Sequence, residues 1–90
     1  MRTKAVLGAA VTDLGTDVPF LEGYTAVVVN TGSNADTLQF GDASTGPFET
    51  GRQPDGSLAI VPAGGSIEVV IGGRYAAIEN GAGSLVILGN

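Results

Sequence analysis

The chain has 90 residues, of which nine are acidic, four are basic and none is His, Cys or Trp. This length predicts a single domain over residues 1–90, and the net charge of −5 argues against a nucleic-acid partner, because four scattered basic side chains cannot neutralise a row of phosphates. Without Cys and His there is no disulfide, zinc–thiolate site, thiol nucleophile or His base, so we expect neither an enzyme nor a cofactor.

The charge content and the length of the apolar runs narrow the class of protein further. Charged residues make up 14% of the chain, against about 25% in typical soluble domains, which predicts that a partner covers part of the surface. The longest apolar runs, such as Ala26–Val29, are far shorter than the roughly 20 residues of a membrane-spanning helix, so no membrane partner is expected. Ala5–Val11 is followed by no clear cleavage site, and we interpret it as a strand of an unprocessed cytosolic product.

Gly, Pro, Asn and Asp punctuate the chain about every 8–12 residues, and apolar residues alternate between these turns. This pattern predicts an all-β fold, an antiparallel β-sandwich or jelly roll of about seven to eight strands. The expected strands are Lys4–Val11, Tyr24–Asn30, Leu38–Phe40, Ser57–Val61, Ile67–Ile71, Arg74–Glu79 and Ser84–Leu88.

The strand Tyr24–Asn30 is apolar on both faces, so we expect it at the centre of a sheet and covered on both sides. In the connection before it, Val18, Phe20 and Leu21 are expected at the edge of the core. The last three strands are predicted to pair as consecutive antiparallel hairpins. The predicted core consists of Leu7, Val28, Leu38, Phe40, Leu58, Ile60, Ile67, Val69, Ile71, Ile78, Leu85 and Ile87.

Several polar residues are of the types that form calcium sites or catalytic carboxylate pairs, and each also has a simpler structural interpretation. Asn30, Asn34, Asp36 and Asp42 carry oxygen atoms of the kind that bind calcium, but their spacing matches no calcium loop and favours a turn held by side-chain amides. Paired carboxylates, such as Asp13 with Asp17, suit acid–base catalysis, yet acidic residues in Gly-rich loops are usually turn formers.

Aromatic residues raise the alternative of sugar binding. Tyr24 and Tyr75 are the two tyrosines of the chain, and stacking on such rings is what a carbohydrate module requires. Both fall within predicted strands, where packing inside the sheet is the more ordinary role.

Three segments carry a family resemblance: Val27–Ser33 (VVVNTGS), Val61–Ile67 (VPAGGSI) and Arg74–Gly81 (RYAAIENG). Together with the long polar loop between the first two, they resemble small β-sandwich structural proteins of tailed bacteriophages, in particular the capsid decoration, or cement, proteins. The resemblance covers the chain from Tyr24 to Leu88. It implies a non-enzymatic virion protein, made in the host cytoplasm and bound at the capsid surface, where a homotrimer clamps neighbouring subunits of the major capsid protein.

The residues agree with such a role for reasons of their own. Two apolar-faced strands in a domain poor in charge would be an aggregation hazard if they stayed uncovered, so we expect a homo-oligomer. The alternative is a small β-sandwich module of a head fibre or tail that binds carbohydrate or a host surface, which would show an exposed aromatic platform or a calcium site.

The segment Gly41–Gly56 breaks the strand rhythm and is expected to be a long functional loop. Phe48 is its single large apolar residue, which suggests an anchor for a partner's pocket, with Glu49 and Arg52 at the rim. Arg2 and Lys4 form a basic amino-terminal arm over residues 1–4 that suits an acidic neighbour. The predicted partner-binding site is therefore Arg2, Lys4, Phe48, Glu49 and Arg52, unless Phe48 folds back onto its own domain.

Overall fold

The computed structural model describes residues 2–79 and 81–89, and nine strands with one short 3-10 helix lie within these ranges. The prediction of an all-β fold is confirmed, with strands that are shorter and slightly more numerous than expected. They are β1 (Lys4–Leu7), β2 (Thr12–Asp13), β3 (Thr25–Asn30), β4 (Asp36–Gly41), β5 (Glu49–Thr50), β6 (Ile60–Val61), β7 (Ser66–Val70), β8 (Tyr75–Ile78) and β9 (Leu85–Gly89), and the helix is Val18–Phe20.

The strands form two antiparallel sheets that pack face to face. Sheet A has the order β1-β9-β3-β7, and sheet B has the order β2-β8-β4-β5, with β6 paired to the start of β4. With the two-residue β6 set aside, the first strand lies beside the last in sheet A and the second lies beside the next-to-last in sheet B. This is the strand order of a jelly roll, one of the two arrangements predicted.

The expected hairpins among the last three strands are not formed. β7 and β9 belong to sheet A and β8 to sheet B, so the chain crosses between the layers at each connection. The first crossing passes through buried Gly73, where an added Cβ would lie 2.6 Å from the carbonyl oxygen of Gly41. Alternation along the chain identifies the buried face of a strand, but it does not identify the sheet to which that strand belongs.

The core fills the space between the sheets, and most of the predicted core residues lie in it. The buried apolar side chains are Ala5, Leu7, Leu14, Phe20, Ala26, Val28, Leu38, Phe40, Ala59, Val61, Val69, Ile71, Ala76, Ile78, Leu85 and Ile87, with Ile67 partly buried against them.

Leu58 and Ile60 were predicted in the core and are 42% and 47% exposed. The segment faces the other way because β6 pairs with β4 in the register Asp36↔Val61 and Thr37↔Ile60, and residues opposite each other in an antiparallel pair point to the same face, here inward for Asp36. Ala59 and Val61 therefore point inward. The prediction placed the larger residues, Leu58 and Ile60, in the core. Because residues 58–61 are all apolar, their sequence does not show which alternate positions face the core.

The connection from β1 to β3 contributes more to the core than its sequence suggests. Phe20 is buried, as expected, but Val18 and Leu21 are 47% and 36% exposed, so that expectation was wrong for them. Leu14, which no predicted strand contains, is fully buried. The first strand also stops at Leu7, and the segment predicted to extend it to Val11 is largely exposed.

Candidate functional site

The predicted docking loop is an ordered part of sheet B. It contains β5, which pairs with β4, and the amide of Gly51 donates to the carbonyl of Leu38 at 2.8 Å. Its far end is a tight turn in which the Asp55 carboxylate accepts from the amide and hydroxyl of Ser57, at 3.0 and 2.6 Å. These bonds to Ser57 hold the pKa of Asp55 below its ordinary value.

Phe48 lies half-buried against two glycines of its own domain. A Cβ added to Gly41 would lie 2.9 Å from Cδ1 of the ring, and one added to Gly46 would lie 3.0 Å from Cδ2. The ring therefore rests on bare backbone at both positions, and any larger residue there would push it away. A partner would meet one side of the ring rather than a free side chain.

Glu49 and Arg52 border a groove of about 710 Å³ at the side of the sandwich where β5 and β7 are the edges. Asp42, exposed Leu58 and Val70 also line it. A backbone hydrogen bond joins the two sheets at the groove. The amide of Val70, at the end of β7, donates to the carbonyl of Arg52, just after β5, at 2.9 Å. The Arg52 guanidinium donates to the carbonyl of Gly56 at 3.3 Å.

Arg2 is fastened to its own domain. Its guanidinium donates to the carbonyl of Asp13 at 2.8 Å, lies 3.6 Å from the carboxylate of Asp17 and stands 5.5 Å above the ring of Phe20. Lys4 is exposed on β1, and Met1 of the predicted arm lies outside the described residues. Of the two basic residues of the predicted arm, Arg2 is therefore held against its own domain, and Lys4 is exposed on β1.

The five predicted residues do not form one surface. β1 and β2 are the edges of the two sheets on one side of the sandwich, and β7 and β5 are the edges on the other. Lys4 therefore lies on the side opposite Glu49 and Arg52. The predicted site divides into a groove at β5 and an amino-terminal region at β1.

The carboxylates of Asp13 and Asp17 are each paired with an arginine, Asp13 with Arg74 and Asp17 with Arg2. Arg74 donates to both oxygens of the Asp13 carboxylate at 2.8 and 2.9 Å, and the amide of Gly15 donates to it at 2.7 Å. The bonds from Arg74, and then the one from Gly15, hold the pKa of Asp13 below its ordinary value, while Asp13 raises the pKa of Arg74. The arrangement stabilises the ionised form of the carboxylate, which suits a structural link between β2 and β8.

Two of the four oxygen-bearing residues considered for calcium, Asn30 and Asp36, use their side chains in structural hydrogen bonds. Buried Asn30 donates its amide to the carbonyls of Asn34 and Val61 at 2.8 and 3.0 Å and accepts from the amide of Gly32 at 2.8 Å. Asp36 accepts from the amide of Ser84 at 3.2 Å. Asp36 begins β4 and Asp42 follows its other end, so the two cannot share an ion. Within residues 2–79 and 81–89, no group of three or more Asp and Glu could hold a metal.

The two tyrosines lie on different sheets. Tyr24 precedes β3 of sheet A and is 48% exposed, whereas Tyr75 is a half-buried residue of β8 in sheet B with Arg74 5.5 Å above its ring. They therefore provide no shared stacking platform.

The two apolar-faced strands that the sequence predicts, Tyr24–Asn30 and Ser84–Leu88, lie side by side and form an apolar surface on the outside of sheet A; their adjacency was not predicted. Its outward positions hold Val6, Val27, Val29, Val86 and Leu88, and we call these five side chains the valine face. β3 does lie centrally, but its outward residues Val27 and Val29 are half-buried rather than buried, so the expectation of burial on both sides is only partly met in the single copy. The signal was present as the two-faced apolar pattern of Tyr24–Asn30 and Ser84–Leu88.

Comparison with protein-family models, with curated proteins and with solved structures finds no match for this chain. Among the residues that the structure describes, no helix has the length and apolar character needed to cross a membrane.

Proposed function

We propose that the protein is a non-enzymatic virion structural protein, a capsid decoration subunit that binds the major capsid protein at the surface of a tailed-phage head. The observation that carries the proposal is the jelly-roll order of the two sheets. Viral capsid domains, lectins and cupins are the main users of this architecture. Fold alone does not decide among them, so the distinction rests on the side chains.

The side chains favour the capsid role over the other two. Cupins usually hold a metal with histidines, and this sequence contains none. A lectin needs an aromatic platform, and Tyr24 and Tyr75 lie on different sheets. What the surface does offer is contact area: the valine face, the groove at β5 and few charges. The family resemblance adds the expectation of three copies, and we propose a homotrimer as the state on the capsid.

The groove is our candidate for the contact with the major capsid protein. It combines an apolar wall at Leu58 and Val70 with the charged rim residues Glu49 and Arg52. Apolar contacts with a few placed charges are typical of specific interfaces. Phe48 directly precedes β5 beside this region, and its ring packs on Gly41 and Gly46.

The experiment mixes the purified full chain with shells assembled from the major capsid protein of the phage that encodes it. Co-sedimentation measures binding, and electron cryo-microscopy of the decorated shells locates the copies. We expect saturable binding that Glu49→Lys and Arg52→Glu each weaken about tenfold or more. Glu79→Lys is the control, because it changes the net charge as Glu49→Lys does but lies at the opposite end of sheet B.

Absence of binding to the shells would overturn the proposed function. Binding that is equal for the parent, Glu49→Lys and Arg52→Glu would overturn the groove as the contact and leave the function standing.

The groove also gives some support to the alternative function of a carbohydrate-binding module. Its volume of about 710 Å³ lies within the range of small-ligand sites, and Asp42, Glu49 and Arg52 are groups that hydrogen-bond sugar hydroxyls. Binding of the isolated protein to a glycan array, lost in Arg52→Glu, would favour this function over the capsid role.

A further inference from the structure

The outward side chains of sheet A include two complete rows across its four strands, and the outward pair Thr25 and Val70 lies beyond them. One row runs Lys4, Leu88, Val27 and Glu68, and the other runs Val6, Val86, Val29 and Ser66. The apolar members form the valine face, in which Val6 is 60% and Leu88 is 38% exposed. Every polar member of the two rows lies on an edge strand: Lys4 on β1, and Glu68 and Ser66 on β7.

Sheet B provides the comparison within the same molecule. Its outward positions include Asp13, Thr37, Gln39 and Thr50, and the one aromatic ring among them, Tyr75, lies under Arg74. Apart from Ile60 on the short strand β6, sheet B thus follows the usual rule that an antiparallel sheet is apolar on the core side and polar on the solvent side. Sheet A breaks this rule along its two central strands, β9 and β3.

The opposite charges at the two ends of the first row indicate which partner fits this face. Lys4 and Glu68 are opposite in sign and lie at equal distances from the midline between β9 and β3. A second copy can stack on this face through a two-fold axis that runs along the midline, parallel to the strands. This axis places β1 of each copy over β7 of the other, and β9 over β3. It brings Lys4 of each copy over Glu68 of the other, and Leu88 over Val27. A two-fold axis across the strands would instead place each edge strand over itself, so that Lys4 of one copy could not lie over Glu68 of the other.

We infer that the valine face of one copy binds the valine face of a second copy through this two-fold axis. The contact is of the aligned sheet-on-sheet kind, with the two sheets about 10 Å apart and their mean strand directions within about 30° of each other. It is closed and self-complementary, so the assembly stops at two copies. The inference concerns the free protein and does not rest on the capsid role.

The test measures the mass of the purified full chain by sedimentation equilibrium, for the parent, Lys4→Glu, Glu68→Lys and the double variant. All substitutions lie on edge strands and point outward, so the core is untouched. The double variant restores the parent's net charge of −5 and exchanges the two ends of the row, whereas each single variant sets like charges against each other. Glu79→Lys matches Glu68→Lys in net charge and lies away from the valine face.

We expect the parent to have twice the 8.9 kDa mass of the chain at micromolar concentration. Each single variant should raise the dissociation constant about tenfold or more, and the double variant should return it to within about threefold of the parent. Circular dichroism should be the same for all of them.

A parent that is monomeric or trimeric would overturn the inference, as would a dimer whose dissociation constant the single variants leave unchanged or the double variant fails to restore. Because no capsid is present, these outcomes are separate from the failure of the capsid proposal, which the shell-binding experiment detects.

Discussion

In β6 the smaller of two neighbouring residues faces the core and the larger one faces solvent, which leads to a sharp prediction. Val61 is fully buried, whereas the larger Ile60 is 47% exposed and points outward. Replacing each with Ala in turn gives a matched pair, since both lose a β-branched side chain at adjacent positions of one strand. We expect the smaller truncation, Val61→Ala, to be the more destabilising one.

The magnitude follows from burial. Val61→Ala removes two methyl groups, worth about 1.6 kcal/mol at ~0.8 kcal/mol each, and leaves a cavity of roughly 50 Å³ that adds about 1.2 kcal/mol. The total of about 3 kcal/mol is a large fraction of the roughly 5–13 kcal/mol expected for a domain of this size. Ile60→Ala removes more atoms, but about half of their surface already meets water and no cavity forms, so we expect a loss of about 1 kcal/mol.

Urea unfolding followed by circular dichroism or tyrosine fluorescence measures both values, at one protein concentration so that self-association affects all variants alike. In thermal melts the difference corresponds to about 8–16 °C in Tm. A loss for Ile60→Ala equal to or larger than that for Val61→Ala would refute the reasoning and return Ile60 to the core.

Three further outcomes are expected. Val69→Asp places an unpaired carboxylate at a fully buried position, which costs several kcal/mol, so the variant should show no cooperative unfolding transition; a stable fold would contradict the facing of β7. The pKa of Asp13 is lowered in the folded state, so its pairing with Arg74 stabilises the protein above the ordinary pKa of 3.8 and this contribution disappears as the pH falls through the folded value; Asp13→Asn should flatten the acid limb of a stability–pH profile, and an unchanged limb would contradict the pairing. Gly83→Ala should lower the free energy of unfolding by about 1–3 kcal/mol or more, because Gly83 has a φ of +111° and an added Cβ would contact the Asp36 carboxylate; a neutral result in urea unfolding would contradict this close approach.

The fold class was predictable because alternation and turn residues report local geometry, which an antiparallel sandwich preserves. The predicted strands at Tyr24–Asn30 and Ser84–Leu88 correspond to β3 and β9, and the core residues on them, Val28, Leu85 and Ile87, are buried. What failed depended on pairing between distant segments. The crossings between β7, β8 and β9 are set by tertiary contacts that no local pattern contains.

The candidate site was less predictable for a related reason. Phe48 was identified by its isolation in the sequence, but two glycines that come next to it only in the folded chain decide how much of its ring a partner can reach. Arg2 was read as part of an arm, whereas its partners Asp13 and Asp17 become neighbours only after β2 is formed. The valine face required knowing that β3 and β9 are adjacent, since either strand alone is an ordinary two-faced apolar segment.

The position of β9 also has a consequence for how the molecule is made. The ninth strand in chain order lies between β1 and β3, so sheet A has a gap at its centre until Leu85–Gly89 has left the ribosome. β1 pairs with no strand other than β9 among the described residues, and it must wait for a partner about 80 residues further along the chain. Synthesis at roughly 5–20 residues per second leaves the apolar strand β3 without that neighbour for several seconds. Folding of this domain is therefore expected to wait until Leu85–Gly89 has emerged, rather than to proceed strand by strand as the chain is made.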